Sequence, residues 1–392
     1  MDESFGPVMH YLVQLVSCER HEVATGACKF WAKHARMPAN TAIRKHWMDL
    51  LLPEMSTLIK AFVDQMSYRP EHAEYLQQLG SQCANHAAGD KKSPPSDVES
   101  FANLRNFATV AFEHVARVYP VELVCAAFRP LLERRIESEC WSEKEAVILA
   151  LAAFTRGAGV PDTMGNSYAM VVPRVLDCYG DPHPLLRSVA CLTMPKLVGR
   201  RLPGVKDPWS RVLICTANAT LDTSAEVRRT AIHALSALLA YGTPSGRRSA
   251  GIGMQTARLV DALDLARQCD MDSETRCAYF ECVSHLVGRA GDSLTAADMD
   301  RLLPPLVDAW KSQSWNGTVD CGVKTRGSVV EPELGIVPLS VALGTVATYG
   351  KSLYAPFAEC VFEKACTDIE GYFLCSFVVF LTFGLFNWWT YL

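Results

Sequence analysis

A chain of 392 residues with 49% hydrophobic and 20% charged residues holds ample apolar material for a continuous core, which excludes a disordered protein. Its net charge of −4 and pI near 6.2 provide no broad basic field for a phosphate backbone, so direct binding of nucleic acid is not expected. Fifteen cysteines are scattered without a Cys-x-x-Cys pair or zinc-type His/Cys spacing, so neither a metal centre nor a disulfide framework is expected.

Phe5 to Val16 reads as a first amphipathic helix, Ser17 to His21 as a turn, and Glu22 to His34 as a second helix with Val23, Ala27, Phe30 and Trp31 at helical spacing. A long helix is predicted from Ile43 to about Met66, with its partner resuming at Phe101. The stretch 67–100 is then an insertion of about one repeat length, and its second half, from Gly89 to Asp97, has loop chemistry. Four further pairs follow: Val121–Glu137 with Ser142–Arg156, Tyr168–Tyr179 with Pro184–Leu197, Pro208–Leu221 with Ala225–Tyr241, and Met254–Cys269 with Ser273–Arg289. Pro184 suits a first helical turn, where its missing N–H is not needed. Gly242 to Gly251 is a Gly/Ser/Arg connector.

Thr295 and Asp298 form a capping-box pattern, with Asp in place of Glu, at the start of a helix predicted to reach about Ser312. Its mate, Gly335–Tyr349, arrives late, so 313–333 reads as a second, shorter insertion, and Leu353 to about Ile369 begins an eighth pair. From Tyr372 to Leu392 there are 21 residues without a charge, long enough to cross a bilayer. Three readings of that tail stay open: a membrane anchor, a buried helix that needs a neighbour, and a product of gene-model truncation.

The pairs share a signature. A turn carrying Asp is followed by a helix that opens on an apolar-Arg step and runs into small residues, as at Asp181, Leu186, Arg187 and Ala190, and again at Asp222, Val227, Arg228 and Ala231. Arg187 and Arg228 are 41 positions apart, the HEAT/armadillo period. The fold class is therefore all-α: a HEAT-repeat solenoid, a right-handed superhelix of about seven to eight antiparallel helix pairs over 1–371, with the apolar tail at 372–392. Such stacks offer a long surface that usually binds protein. Cys28, Cys191, Cys277 and Cys282 fall in apolar helical stretches and are expected to be buried thiols in a reducing compartment. The acidic start at Asp2 and Glu3 is not a secretory signal, so a cytosolic or nuclear location is expected.

Catalytic patterns are lacking. His21-Glu22 has no second zincin His, the Gly242–Arg248 stretch lacks the Lys-Ser/Thr of a phosphate loop, and the ten histidines fall singly on different helices. No enzyme activity and no cofactor are expected. The candidates that remain are groups suited to peptide recognition. Trp310 stands next to a turn inside a helix pair, either as an exposed anchor or as a core ring joining two helices. Glu281 and Glu145, on second helices, either face the concave side and attract a basic peptide or are ordinary solvated glutamates.

Several blocks in order carry a more specific resemblance. They are Ala27-Cys-Lys-Phe-Trp31, Asn103-Leu-Arg105, Val115–Tyr119, Arg129–Arg134, Trp141–Glu145, Ile148–Leu151, Pro173–Leu176, Leu186–Cys191, Leu303–Trp310 and Pro338–Ala347. Over roughly 1–370 the chain resembles the central repeats of the transportin family, the karyopherin-β2 nuclear import receptors. The resemblance implies a superhelix that carries cargo between cytoplasm and nucleus. Its partners would be basic, Pro-Tyr-ended localisation signals, Ran-GTP and Phe-Gly nucleoporins. Trp310 and Val307 fall on family positions that contact the signal's C-terminal part, and Glu281 falls on an acidic position of the neighbouring inner helix. The family's long acidic loop is replaced by 67–100, which is shorter and nearly neutral, with Lys91 and Lys92 where acid is expected. Ran-coupled release by that loop is not carried over. The resemblance begins after the family's first repeats and ends before its last, so most of the Ran site is expected to be missing. A HEAT scaffold or adaptor, anchored through the C-terminal tail, is the alternative.

Overall fold

The computed structural model describes residues 5–34, 47, 49–69, 72, 96–159, 164–198, 208–241, 255–269, 271–290, 293–295 and 297–302. Among them there is no strand. The helices are α1 (Phe5–Val16), α2 (His21–His34), α3 (Met55–Met66), α4 (Ser96–Val118), α5 (Val121–Arg135), α6 (Trp141–Ala158), α7 (Gly165–Asp177), α8 (Pro184–Val198), α9 (Pro208–Ala219), α10 (Ala225–Tyr241), α11 (Thr256–Ala266) and α12 (Ser273–Ala290). The fold is the expected HEAT-repeat stack of helix pairs. The chain divides into two units, Met1–Cys215 with Asp222–Thr230, and Thr216–Leu221 with Ala231–Leu392, so the division falls inside α9 and α10.

In the first unit α1 pairs with α2, α3 with α4, α5 with α6 and α7 with α8. The first helices of successive pairs touch one another, α1 on α3, α3 on α5 and α5 on α7, while α2, α4, α6 and α8 pack side by side in a second layer. Between the layers lies an aromatic and aliphatic core. Phe112 of α4 meets Phe128 of α5 with ring centroids 5.2 Å apart, and Phe128 meets Phe154 of α6 at 5.5 Å. All three rings are fully buried, as are Trp31 and Phe62. Ring pairs of this kind contribute about 0.5–1.5 kcal/mol each beyond their area. The second-layer helices approach closely at Gly157, where an added Cβ would run into the Glu113 carbonyl oxygen of α4. Only a residue without a side chain fits there.

The Asp and Arg of the repeat signature act on neighbouring turns. Arg187 holds the Asp222 carboxylate with Nε and Nη2, at 2.7 and 2.8 Å, and donates from Nη1 to the carbonyls of Asp181 and Pro182. Arg228 repeats the second contact, donating from Nη1 to the carbonyls of Asp222 and Thr223. Each Asp also accepts from a backbone amide of the helix start that follows: His183 N–H to Asp181, Ser224 N–H to Asp222 and, in the second unit, Thr275 N–H to Asp272. These contacts satisfy amides that no helical carbonyl can reach. Burial pushes the Asp222 carboxyl up, but Arg187, the Ser224 amide and Arg228 together outweigh it and hold the group below its ordinary value.

The second unit contains the rest of α10 with α11, α12 and the start of another helix over 297–302. The capping box at that start is formed. Thr295 N–H donates to Asp298 Oδ2 at 2.9 Å, and Asp298 N–H donates to Thr295 Oγ1 at 3.2 Å. Arg301 then bridges back to α11, with Nη1 at 2.8 Å from Asp261 and Nη2 at 2.9 Å from Asp264.

Two expectations need correction. The long helix to Met66 is broken: residues 52–54 make a 3-10 turn around Pro53, and α3 begins only at Met55. Proline has no amide for an interior helical bond, so it belongs at a helix start. The partner helix begins at Ser96 rather than Phe101, directly after Pro94 and Pro95, so the end of the stretch read as loop is helical. The connector 242–251, the insertion 313–333, the pairs beyond Leu302, the tail 372–392 and most of 67–100 lie outside the described residues. Among the described residues, no helix is long and apolar enough to cross a membrane.

Candidate interaction surface

Second helices of neighbouring pairs are joined by side chains about one repeat apart in sequence. In the first unit Arg105 of α4 reaches Glu145 of α6 through Nη2 and the Met66 carbonyl through Nη1, and its guanidinium lies 4.1 Å from the centroid of the Tyr68 ring. Ser188 of α8 meets Thr230 of α10 at 2.9 Å. In the second unit Ser236 of α10 donates to Glu281 of α12 at 2.9 Å. Within each unit, polar contacts of this kind join helices of neighbouring pairs.

Glu281 is solvent-exposed on α12, where its carboxylate accepts from Ser236 and keeps acceptor capacity for a further donor. Its charge is felt by its neighbours. Burial pushes the Cys282 thiol well up and Glu281 adds to the effect. Burial holds the His285 imidazole below its ordinary value, with Glu281 pulling it up and Arg289 pushing it down. Glu145 is different. It is 4% exposed and paired with Arg105, whose side chain is also buried, so it is neither a solvated glutamate nor a group presented to a peptide. Burial pushes its carboxyl above the ordinary value despite the Arg105 charge. The sequence signal for this pairing was an opposite charge 40 positions away, one repeat period.

Trp310 and Val307 lie outside the described residues. Of the cysteines expected to be buried, Cys28, Cys191 and Cys282 are, while Cys277 is half-buried. Burial pushes the Cys28 and Cys191 thiols up to about 12, far from the range of a reactive thiolate. Among the described residues no group of three or more His, Cys, Asp or Glu side chains converges as a metal site.

The chain is 22% identical to Transportin-1 of Mus musculus over 387 residues, covering 93% of this chain and 40% of that protein. It is 21% identical to importin subunit beta-2 of Saccharomyces cerevisiae over 410 residues, with the same coverage of each. Kap121p bound to Ste12p superposes with a TM-score of 0.64 at 14% identity, over 91% of this chain and 31% of that one. Kap95p in its complex with RanGDP gives 0.62 at 14%, over 91% and 40%. Over 93% of its length the chain is therefore similar to transportin and importin beta-2 proteins of the karyopherin-β superfamily. It spans about 40% of the length of these curated relatives. No family model matches it. These relatives are transport receptors, not enzymes.

Proposed function

We propose that this chain is a karyopherin that serves nucleocytoplasmic protein transport by reversible capture of a basic localisation signal on its second-layer helices. The ordered similarity to Transportin-1 across 93% of the chain carries the reading. In this mechanism an extended peptide ending in Pro-Tyr lies across the second helices of the C-terminal pairs. The Glu281 carboxylate selects its cationic part, and Trp310 and Val307 take its apolar end. Affinity comes from the apolar contacts, while charge sets preference and encounter rate. No bond is made or broken, so release requires a competing partner or a change in the groove. Kap121p bound to Nup53p and Kap95p with RanGDP lend support to nucleoporin and Ran partners, and the similarity to Transportin-1 and importin beta-2 supports residence in both cytoplasm and nucleus. The nearly neutral stretch 67–100 argues for release by a device other than an acidic loop.

The test is a fluorescence anisotropy titration of the chain with a labelled basic Pro-Tyr peptide and with a scrambled peptide that lacks the terminal motif. Trp310→Ala should weaken the first by about 1–2 kcal/mol and leave the second unchanged. Equal affinities for both peptides, unaffected by the substitution in a protein with an intact circular dichroism spectrum, would remove the signal-binding assignment.

A further inference from the structure

The last turns of the second-layer helices in the first unit gather more positive charge than they neutralise. Glu113 of α4 accepts from Arg117 Nη2 at 2.6 Å and lies 3.2 Å from Arg156 Nε of α6. Lys196, in the last turn of α8, sits in the fields of both Arg156 and Glu113, and its Nζ is buried with no hydrogen-bond partner. Three cations therefore share one carboxylate. The arrangement is fixed by packing, because Gly157 lets α6 close onto the α4 backbone beside Glu113 and so carries Arg156 to it. Attraction of cations to helix C-termini accounts for one basic residue per helix. It does not account for an ammonium buried beside the Arg156 guanidinium with no acceptor of its own, which costs free energy until an anion arrives. The guanidiniums remain reachable, with Arg117 54% and Arg156 42% exposed. Lys33, exposed in the last turn of α2, which packs beside α4, extends the row by one helix.

We propose that the C-terminal turns of α4, α6 and α8 form a receptor for the carboxylates of an acidic segment of a partner protein, separate from the basic-signal surface around Glu281. Charge complementarity decides the occupant. A carboxylate accepts from the exposed guanidinium of Arg156, within the field of the buried Lys196 ammonium, and brings the cluster from three cations and one anion to three and two. Neighbouring helices stand about 8–10 Å apart, and an extended chain advances about 3.3 Å per residue. An acidic residue at every third position therefore meets successive helices. The low proton affinity of Lys196, brought to about 7 first by burial and then by Arg156, agrees with a site short of negative charge.

The experiment titrates the full chain with a fluorescein-labelled peptide of about a dozen residues carrying Glu at every third position, at low salt. A lysine counterpart and a single-stranded oligonucleotide of similar length serve as controls. The acidic peptide should bind saturably. Arg156→Gln and Lys196→Gln should each weaken it about fivefold, and Glu113→Gln should tighten it, because a competing carboxylate is removed. Arg134→Gln, on an exposed position of α5, should change nothing. If Lys196→Gln fails to fold, the exposed Arg156 variant carries the test alone. Absence of saturable binding would overturn the proposal, as would unchanged affinity in folded Arg156→Gln. Equal competition by the oligonucleotide would also overturn it, reducing the row to an unselective polyanion surface. None of these outcomes bears on the basic Pro-Tyr peptide, so the two assignments fail separately.

Discussion

Glu145→Ala tests how the second-layer helices are held together. The substitution leaves Arg105 buried with its Met66 carbonyl contact and the Tyr68 ring, but without its counter-charge. Removing one partner of a buried ion pair costs about 3–5 kcal/mol. The surviving carbonyl bond and a cation–π contact of about 0.5–2 kcal/mol keep part of the guanidinium's solvation. The expected loss is therefore at the lower end, about 3 kcal/mol. Replacing both residues, Arg105→Met with Glu145→Leu, removes the charges together and should cost about 1 kcal/mol. That asymmetry is the diagnostic. Urea unfolding gives the global change, and hydrogen exchange of the α4 and α6 amides reads the local one, which matters in a repeat array that need not melt in one step. A loss below about 1 kcal/mol for Glu145→Ala, or a double variant as damaged as the sum of the singles, would refute the buried-pair reasoning.

Gly157→Ala forces a methyl into the Glu113 carbonyl and should destabilise by about 1–3 kcal/mol, measured by thermal unfolding, whereas an exposed helix glycine such as Gly26 should gain from the same change. Asp222→Asn should lower stability at neutral pH by about 1.5–3 kcal/mol through the Arg187 fork. Because the folded carboxyl ionises below its unfolded value of about 3.9, that contribution is complete above this pH and disappears as pH falls through the folded value. The gap between variant and parent should therefore close in acid melts. Lys196 has the opposite sign of dependence. With a folded value of about 7 against about 10.4 unfolded, the unfolded chain binds more protons between the two, so stability rises with pH across that window. The groups facing Lys196 are Arg156 and Glu113, and Glu113 is also paired with Arg117. Lys196→Met should thus raise the melting temperature clearly at pH 6 and little at pH 10, and an equal shift at both would contradict the assignment.

Helix pairing was legible because its devices are local. The turn aspartates, Pro184 and the Thr295–Asp298 box mark where helices start, and each starts where its chemistry says. The break at Pro53 was written in the sequence as well, but an apolar period running through it concealed the turn. The functional surface was less legible. Hydropathy assigns a residue to a helix face without saying which charge of the next repeat it meets. Glu145 and Glu281 look alike in sequence, yet one is buried on Arg105 and the other stands in solvent beside Ser236. The Glu113, Arg156 and Lys196 cluster draws on three helices about one repeat apart, and Gly157, which brings two of them together, looks in sequence like an ordinary helix-weakening glycine.

Hydrogen–deuterium exchange of the full chain, with and without a saturating basic Pro-Tyr peptide, tests the central claim most directly. The expected result is slowed exchange in α12 around Glu281 and in residues 303–310, with α1, α3 and α5 unchanged. Protection confined to the first-layer helices, or none at all under saturating peptide, would contradict capture of a basic signal on the second-layer face.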